Sequence, residues 1–309
     1  MGAVAFLFAG QGAQYTGMGK ELFDSSEAAR AVFLMADRLR PGTSEQCFTA
    51  SKEELSQTIN TQPCLFAVDL AAARALQEAG VQPTAVAGFS LGEVAALTFA
   101  GVLSDEDGFR LVLRRAELMQ RAAERNPGGM AAVLKLPDER VEELCREFPG
   151  VYPVNYNCPG QLVVTGTKEQ LEAFIPAVAQ CGGRAMRLAV SGAFHSPYMA
   201  EAAEALETEL SNYTFTPPIC PVYANFTAQP YGEHVANTLA MQVQSPVLWK
   251  QTIAAMAGKG IDRFIEVGPG KTLSGFMPKI DASLNSHNVQ DAQSLEDTLA
   301  ALSEGGLLC

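Results

Sequence analysis

Three features of the 309-residue sequence predict an α/β fold. Short apolar runs alternate with longer stretches of helical periodicity. Two of those runs, residues 4–8 and 84–88, lead straight into glycine-rich turns, Gly10-Gln11-Gly12 and Gly88-Phe89-Ser90-Leu91-Gly92. The middle of the chain instead reads strand, helix, strand, strand, helix, strand, which is the ferredoxin-like order.

Each element has its own reason. Residues 4–8 are a compact apolar run, as a strand buried on both faces requires. Residues 62–78 read as a helix, with Thr61 at the cap and Pro63 in the first turn, where a missing amide is tolerated. Residues 84–88 are a second buried strand. Ser104 opens a long helix reaching about residue 124. Asn126-Pro127-Gly128-Gly129 then marks the entry to the middle region. Strands at 130–136, 151–156, 161–165 and 184–190 alternate there with helices at 138–147 and 168–181. Residues 127–191 are therefore expected as a small subdomain inserted into a large one made of 1–126 and 192–309. Residues 262–268 form a further strand, 270–280 the helix after it, and the polar tail beyond Ser283 holds a helix near 295–302.

Composition narrows the function. Hydrophobic residues make up 48% of the chain, enough for a large core, and charged residues 18%. Mean hydropathy is near zero, so the chain is globular rather than disordered. A net charge of −12 argues against nucleic acid as a partner. The seven cysteines, Cys47, Cys64, Cys145, Cys158, Cys181, Cys220 and Cys309, are odd in number and form no CxxC pair. They fit scattered thiols in a reducing cytoplasm better than a disulfide framework or a zinc site. The N-terminal apolar stretch is short and lacks a basic leader, so it reads as a strand and not a signal peptide. No apolar run reaches the roughly 20 residues of a membrane span.

Gly88-Phe89-Ser90-Leu91-Gly92 is a G-x-S-x-G motif between a strand and a helical pattern, the context of a nucleophile elbow. The Leu91 amide would face a developing oxyanion. His195 is one of three histidines, with His234 and His287. It precedes a helix start marked by Ser196 as cap and Pro197 in the first turn. The adjoining helix N-terminus favours the neutral imidazole that a general base needs. Arg115 stands inside the apolar stripe of its helix, four residues from Leu111 and from Met119. Arg110, Arg114, Glu117, Arg121 and Glu124 lie on the opposite face. A guanidinium on the buried side needs an anion, either a protein carboxylate or a substrate carboxylate. Gly10-Gln11-Gly12 lets backbone approach a ligand, so Gln11 could offer a second oxyanion amide; a plain turn is the alternative. Gly268-Pro269-Gly270-Lys271-Thr272 looks like a phosphate loop, but position 265 is Ile where that pattern needs glycine.

Taken together, Gly10-Gln11-Gly12-Ala13-Gln14, Gly88 to Gly92 extended by Glu93, Arg115 with Leu118-Met119-Gln120, and Ala193-Phe194-His195-Ser196 resemble the malonyl-CoA:acyl carrier protein transacylase family. Asn157-Cys158-Pro159-Gly160-Gln161 and Glu266-Val267-Gly268-Pro269-Gly270-Lys271 add to the resemblance. It implies an α/β-hydrolase-like large domain with a parallel sheet and the ferredoxin-like insertion. It implies Ser90 as nucleophile, His195 as base, Gln11 and Leu91 as the oxyanion hole, and Arg115 as the clamp on a malonyl carboxylate. Met119 and Phe194 join the substrate site, and Ala193-Phe194-His195 looks like the malonyl-selecting triplet. In place of a triad acid, the resemblance implies a backbone carbonyl orienting His195, that of Leu248 in Ser245-Pro246-Val247-Leu248-Trp249. Two positions depart from the family pattern: Phe89 where the family has His, and Ala9 where it has Pro.

The implied reaction is a ping-pong transfer from malonyl-CoA to the phosphopantetheine thiol of acyl carrier protein, in fatty acid or polyketide synthesis. The coenzyme A thioester is substrate, and no metal or redox cofactor is expected. A cytoplasmic monomer without membrane or nucleic-acid partners is the expectation. Arg184, Arg187, Lys250, Lys271 and Lys279 are candidates for docking the carrier protein. The rivals are a serine thioesterase or hydrolase, which would use the same Ser90 and His195 but leaves Arg115 without a task, and a carrier-binding module without activity.

Overall fold

The structure, a computed structural model, describes residues 3–190 and 192–305. Met1, Ser191 and the last thiol, Cys309, lie outside them. The strands are β1 (Ala3–Phe8), β2 (Ala85–Gly88), β3 (Gly129–Leu134), β4 (Tyr152–Cys158), β5 (Gln161–Gly166), β6 (Arg184–Arg187), β7 (Val222–Tyr223), β8 (Ile261–Val267) and β9 (Asn285–Val289). The α/β class stands, with the chain divided into two compact units.

The first unit holds Met1–Ala116, Tyr213–Tyr223 and Ala255–Cys309. Its sheet has the order β7-β2-β1-β8-β9, and every pairing is parallel. β1 is the central strand, and Phe6, Leu7 and Phe8 are wholly buried, which is why this run is apolar throughout. Phe6 and Phe8 reach Phe99 of the helix Gly92–Phe99, with ring centroids 5.5 and 5.7 Å apart. From β1 the chain moves to β2 on one side and later returns as β8 on the other. The carboxyl end of β1 is thus a topological switch point, where parallel sheets open a crevice for ligands.

Two expectations need correction in this unit. The helix expected at 62–78 runs Thr58–Glu78, so Pro63 sits within it rather than opening it. The Thr61 hydroxyl donates to the Leu55 and Gln57 carbonyls at 2.5 and 2.9 Å and ties down the added turn. The helix expected at 270–280 shrinks to Met277–Ile280. The buried Glu266 carboxylate is the reason: it accepts from the amides of Leu273 and Ser274 at 3.0 and 2.7 Å. Those amides fold around a side chain in turns instead of feeding a helical ladder.

The second unit holds Glu117–Asn212 and Ala224–Ala254. Its sheet is antiparallel, in the order β4-β5-β3-β6. Helices Asp138–Glu147 and Lys168–Gln180 alternate with the strands in the ferredoxin-like sequence. Val133, Leu144, Val164, Leu171 and Phe174 form its core. The Thr167 side chain and Gln170 make a reciprocal capping box at the start of the second helix.

This unit is larger than the expected 127–191 insertion. Val247 adds itself to β4: its amide donates to the Val154 carbonyl at 2.7 Å, and its carbonyl accepts from Tyr156 at 2.9 Å. The His195 amide donates to the Val243 carbonyl at 3.2 Å. Backbone pairing thus draws residues beyond 191 into the smaller unit, and His195 belongs there rather than to the large one.

Candidate active site

β2 ends at Gly88, and the helix Gly92–Phe99 begins four residues later. Between them Ser90 takes a left-handed backbone, φ 54°. Such a conformation costs a non-glycine residue about 1 kcal/mol or more and is kept where the surroundings dictate it. The two glycines show how they do. A Cβ on Gly88 would lie 1.9 Å from the Gly92 backbone, and one on Gly92 would lie 2.3 Å from the Phe8 carbonyl oxygen. Strand and helix close on each other with no room for side chains, and the turn lifts Ser90 out at the strand end.

The turn after β1 lies beside this elbow. A Cβ on Gly10 would stand 2.6 Å from the Phe89 carbonyl oxygen and 2.9 Å from its ring. The Phe89 amide donates to the Phe8 carbonyl at 2.9 Å, which ties the two strand ends together. Gln11 follows directly. Neither the Gln11 nor the Leu91 amide donates to a backbone carbonyl among the described residues. Both are half of what an oxyanion hole needs, and the helix start behind Leu91 adds its positive end.

Arg115 lies on the helix Asp105–Arg125 and is 1% exposed, as the apolar stripe around it predicts. Nη1 donates to Oε1 of Gln62 at 2.8 Å, and Nη2 lies 3.4 Å from the Ser90 hydroxyl oxygen. The buried guanidinium and the elbow serine therefore share one pocket of the first unit. Gln62, itself 1% exposed, did not stand out in the sequence. Its signal was a long amide among buried neighbours on the helix Thr58–Glu78.

In the second unit His195 is 4% exposed and also left-handed, φ 61°. Ser196 caps the short 3₁₀ turn Pro197–Met199 by accepting from the Tyr198 amide. The ring Nδ1 lies 3.0 Å from the carbonyl oxygen of Gln242. Donation there assigns the proton to Nδ1 and leaves Nε2 as the basic nitrogen. The orienting carbonyl is thus that of Gln242 and not of Leu248. Leu248 stands before the helix Trp249–Ala257, and its carbonyl accepts from the Thr252 amide at 2.9 Å and hydroxyl at 3.0 Å. Gln242 ends the helix Val235–Gln242, and its carbonyl, past the reach of the i+4 ladder, accepts from the Ser245 amide at 3.4 Å as well as meeting the His195 ring. Met119 and Phe194 are buried in the same unit, at 2% and 5% exposure. Phe194 fixes the loop, since a Cβ on Gly192 would meet its ring at 2.5 Å.

Of the basic docking candidates, Arg184 and Arg187 lie exposed on the edge strand β6, and Arg187 approaches Glu172 at 3.6 Å. Lys250 pairs with the buried Asp138. Lys271 and Lys279 are exposed. No helix among the described residues is long and apolar enough to cross a membrane, and no cluster of three or more metal-ligating side chains occurs among them.

Comparison with known proteins sets this site in a class. The chain belongs to the acyl transferase domain family, whose model matches residues 5–296. Its relatives within that family include malonyl CoA-acyl carrier protein transacylases. The one from Bacillus subtilis is 37% identical over 312 residues, covering 98% of each chain. The crystal structure of the one from Clostridium perfringens superposes with a TM-score of 0.95 at 40% identity, covering 99% of each. A malonyl-transacylase solved in complex with its type II PKS acyl-carrier protein matches with a TM-score of 0.93 at 34% identity, over 97% of this chain and 99% of that one.

Proposed function

We propose that this chain transfers a malonyl group from malonyl-CoA to the phosphopantetheine thiol of an acyl carrier protein through an ester on Ser90. The observation that carries the reading is the buried Arg115 guanidinium 3.4 Å from the Ser90 hydroxyl. A cation held there meets the free carboxylate of a malonyl thioester just where its carbonyl faces the nucleophile. Acetyl thioesters offer it nothing.

In this reading Nε2 of His195 takes the Ser90 proton as the hydroxyl oxygen attacks the thioester carbonyl. The oxyanion rests on the Gln11 and Leu91 amides, each such donor contributing roughly 10²–10³ in rate. The C–S bond breaks, and the imidazolium returns its proton to the coenzyme A sulfur. The carrier thiol then attacks the acyl ester in the reverse sense, again with His195 as base. Met119 and Phe194 are the residues assigned to selecting the acyl group. The Gln242 carbonyl replaces the acid of a triad, since it orients the ring and stabilises its protonated form. Every group named comes from one chain, so a monomer is expected to suffice. The six cysteines among the described residues are free thiols, in keeping with a reducing cytoplasm.

The test is intact-mass and peptide mass spectrometry after brief exposure to malonyl-CoA. An ester on Ser90 that a carrier-protein thiol discharges is the expected result. An enzyme that forms no adduct, or passes it only to water, overturns the proposal.

A further inference from the structure

We infer that Gln62 is the positioning residue of the carboxylate clamp, and that its being neutral is what lets it fill that place. The inference rests on the malonyl reading of Arg115. Two observations carry it. The Gln62 carbonyl oxygen accepts from Nη1 of Arg115 at 2.8 Å, while Nη2 of the same guanidinium faces the Ser90 hydroxyl at 3.4 Å. Both side chains are 1% exposed.

A guanidinium is a flat fork, so fixing one nitrogen fixes the plane and direction of the other. Arg115 is carried on the helix Asp105–Arg125 and Gln62 on the helix Thr58–Glu78. A hydrogen bond between these two helices constrains how the long arginine side chain directs its outer nitrogen toward the serine. The amide oxygen supplies that bond. A carboxylate at position 62 would fix the fork equally well, but it would add a negative charge within 3 Å of the cation. In a dry pocket that charge competes with the substrate's own carboxylate for the same positive group. Gln62 thus orients the guanidinium and contributes no charge of its own.

The experiment compares Gln62→Leu and Gln62→Glu with the parent enzyme. It measures kcat and KM for transfer from malonyl-CoA and from acetyl-CoA to acyl carrier protein. Loss of a hydrogen bond to a charged group predicts that Gln62→Leu lowers the malonyl-over-acetyl preference roughly tenfold to a hundredfold, mainly through the malonyl KM. Gln62→Glu keeps size and hydrogen bond, yet it should lower the preference at least as far. It also remains informative if the leucine variant does not fold. Equal losses on both substrates would show a structural role only and overturn the inference, as would a glutamate variant that keeps the preference. Arg115→Ala separates the two claims. If it erases the preference while the Gln62 variants leave it intact, the clamp stands and only the role of Gln62 falls. If Arg115→Ala slows both substrates alike, the malonyl reading itself fails.

Discussion

β2 and β8 are parallel strands of one sheet, and each runs out into a glycine-rich turn, Gly88 to Gly92 and Gly268 to Gly270. They treat their backbone amides in opposite ways. After β8 the Gly268 amide donates to the Val289 carbonyl at 3.1 Å and the Gly270 amide to the Gln290 side chain at 2.8 Å. The Leu273 and Ser274 amides go to the Glu266 carboxylate. The protein has filled this nest with its own anion. After β2 the Gly92 and Glu93 amides are used within the turn, but the Leu91 amide has no backbone acceptor among the described residues. An anion site is made by amides left over at a strand end, not by glycine spelling alone.

Four measurements break or sharpen this contrast. Ser90→Ala should abolish the acyl-enzyme and cut transfer by roughly 10⁴ or more, as loss of a serine nucleophile does elsewhere; an adduct that persists would place the chemistry outside the elbow. Gly88→Ala should be next, because a Cβ 1.9 Å from rigid backbone cannot be absorbed by a side-chain movement. We expect a loss of more than about 3 kcal/mol in chemical denaturation. Glu266→Gln should cost roughly 2 kcal/mol, since an amide can satisfy only one of the two donors. Its transfer kinetics should stay unchanged at a permissive temperature; unaltered stability with lost transfer would mean that the β8 turn takes part in the reaction.

The smallest effect concerns Asp69, which is fully buried and whose carboxyl oxygens have no partner among the described residues. Burial, and then the nearby Glu266, hold its pKa well above the ordinary carboxyl range. The folded protein therefore keeps a proton that the unfolded chain has already released. Stability falls as pH climbs from the usual carboxyl range through the raised folded value. Asp69→Asn should raise the melting temperature by a few degrees at about pH 8 and leave it nearly unchanged at about pH 4. A gain of the same size at both pH values would show that packing, not the proton, is responsible.

What could be read from the sequence follows the same physics. Ser90 was legible because the elbow's glycines and flanking strand are local. Arg115 was legible because a charge in an apolar stripe breaks a period that one helix displays. Gln62 was not, since its partner stands 53 positions away. The carbonyl that meets His195 lies at Gln242 and not at Leu248, and sequence alone does not separate them because every residue carries a carbonyl; only the fold brings the helix end at Gln242 to the ring. The false helix at 270–280 followed from the same blindness, as no periodicity reports that a buried glutamate will claim the amides. The ferredoxin-like order was clear, but the pairing of Val247 with β4, which enlarges that unit, involves residues far apart in sequence.

The left-handed backbone at position 90 also restricts which side chains can replace the proposed nucleophile. Three side chains offer an attacking atom on Cβ: serine, threonine and cysteine. A branched Cβ is poorly tolerated at φ 54°, so threonine is shut out although it carries the same functional group. Of these three, the replacement that keeps the attacking atom on Cβ without branching it is the thiol of cysteine.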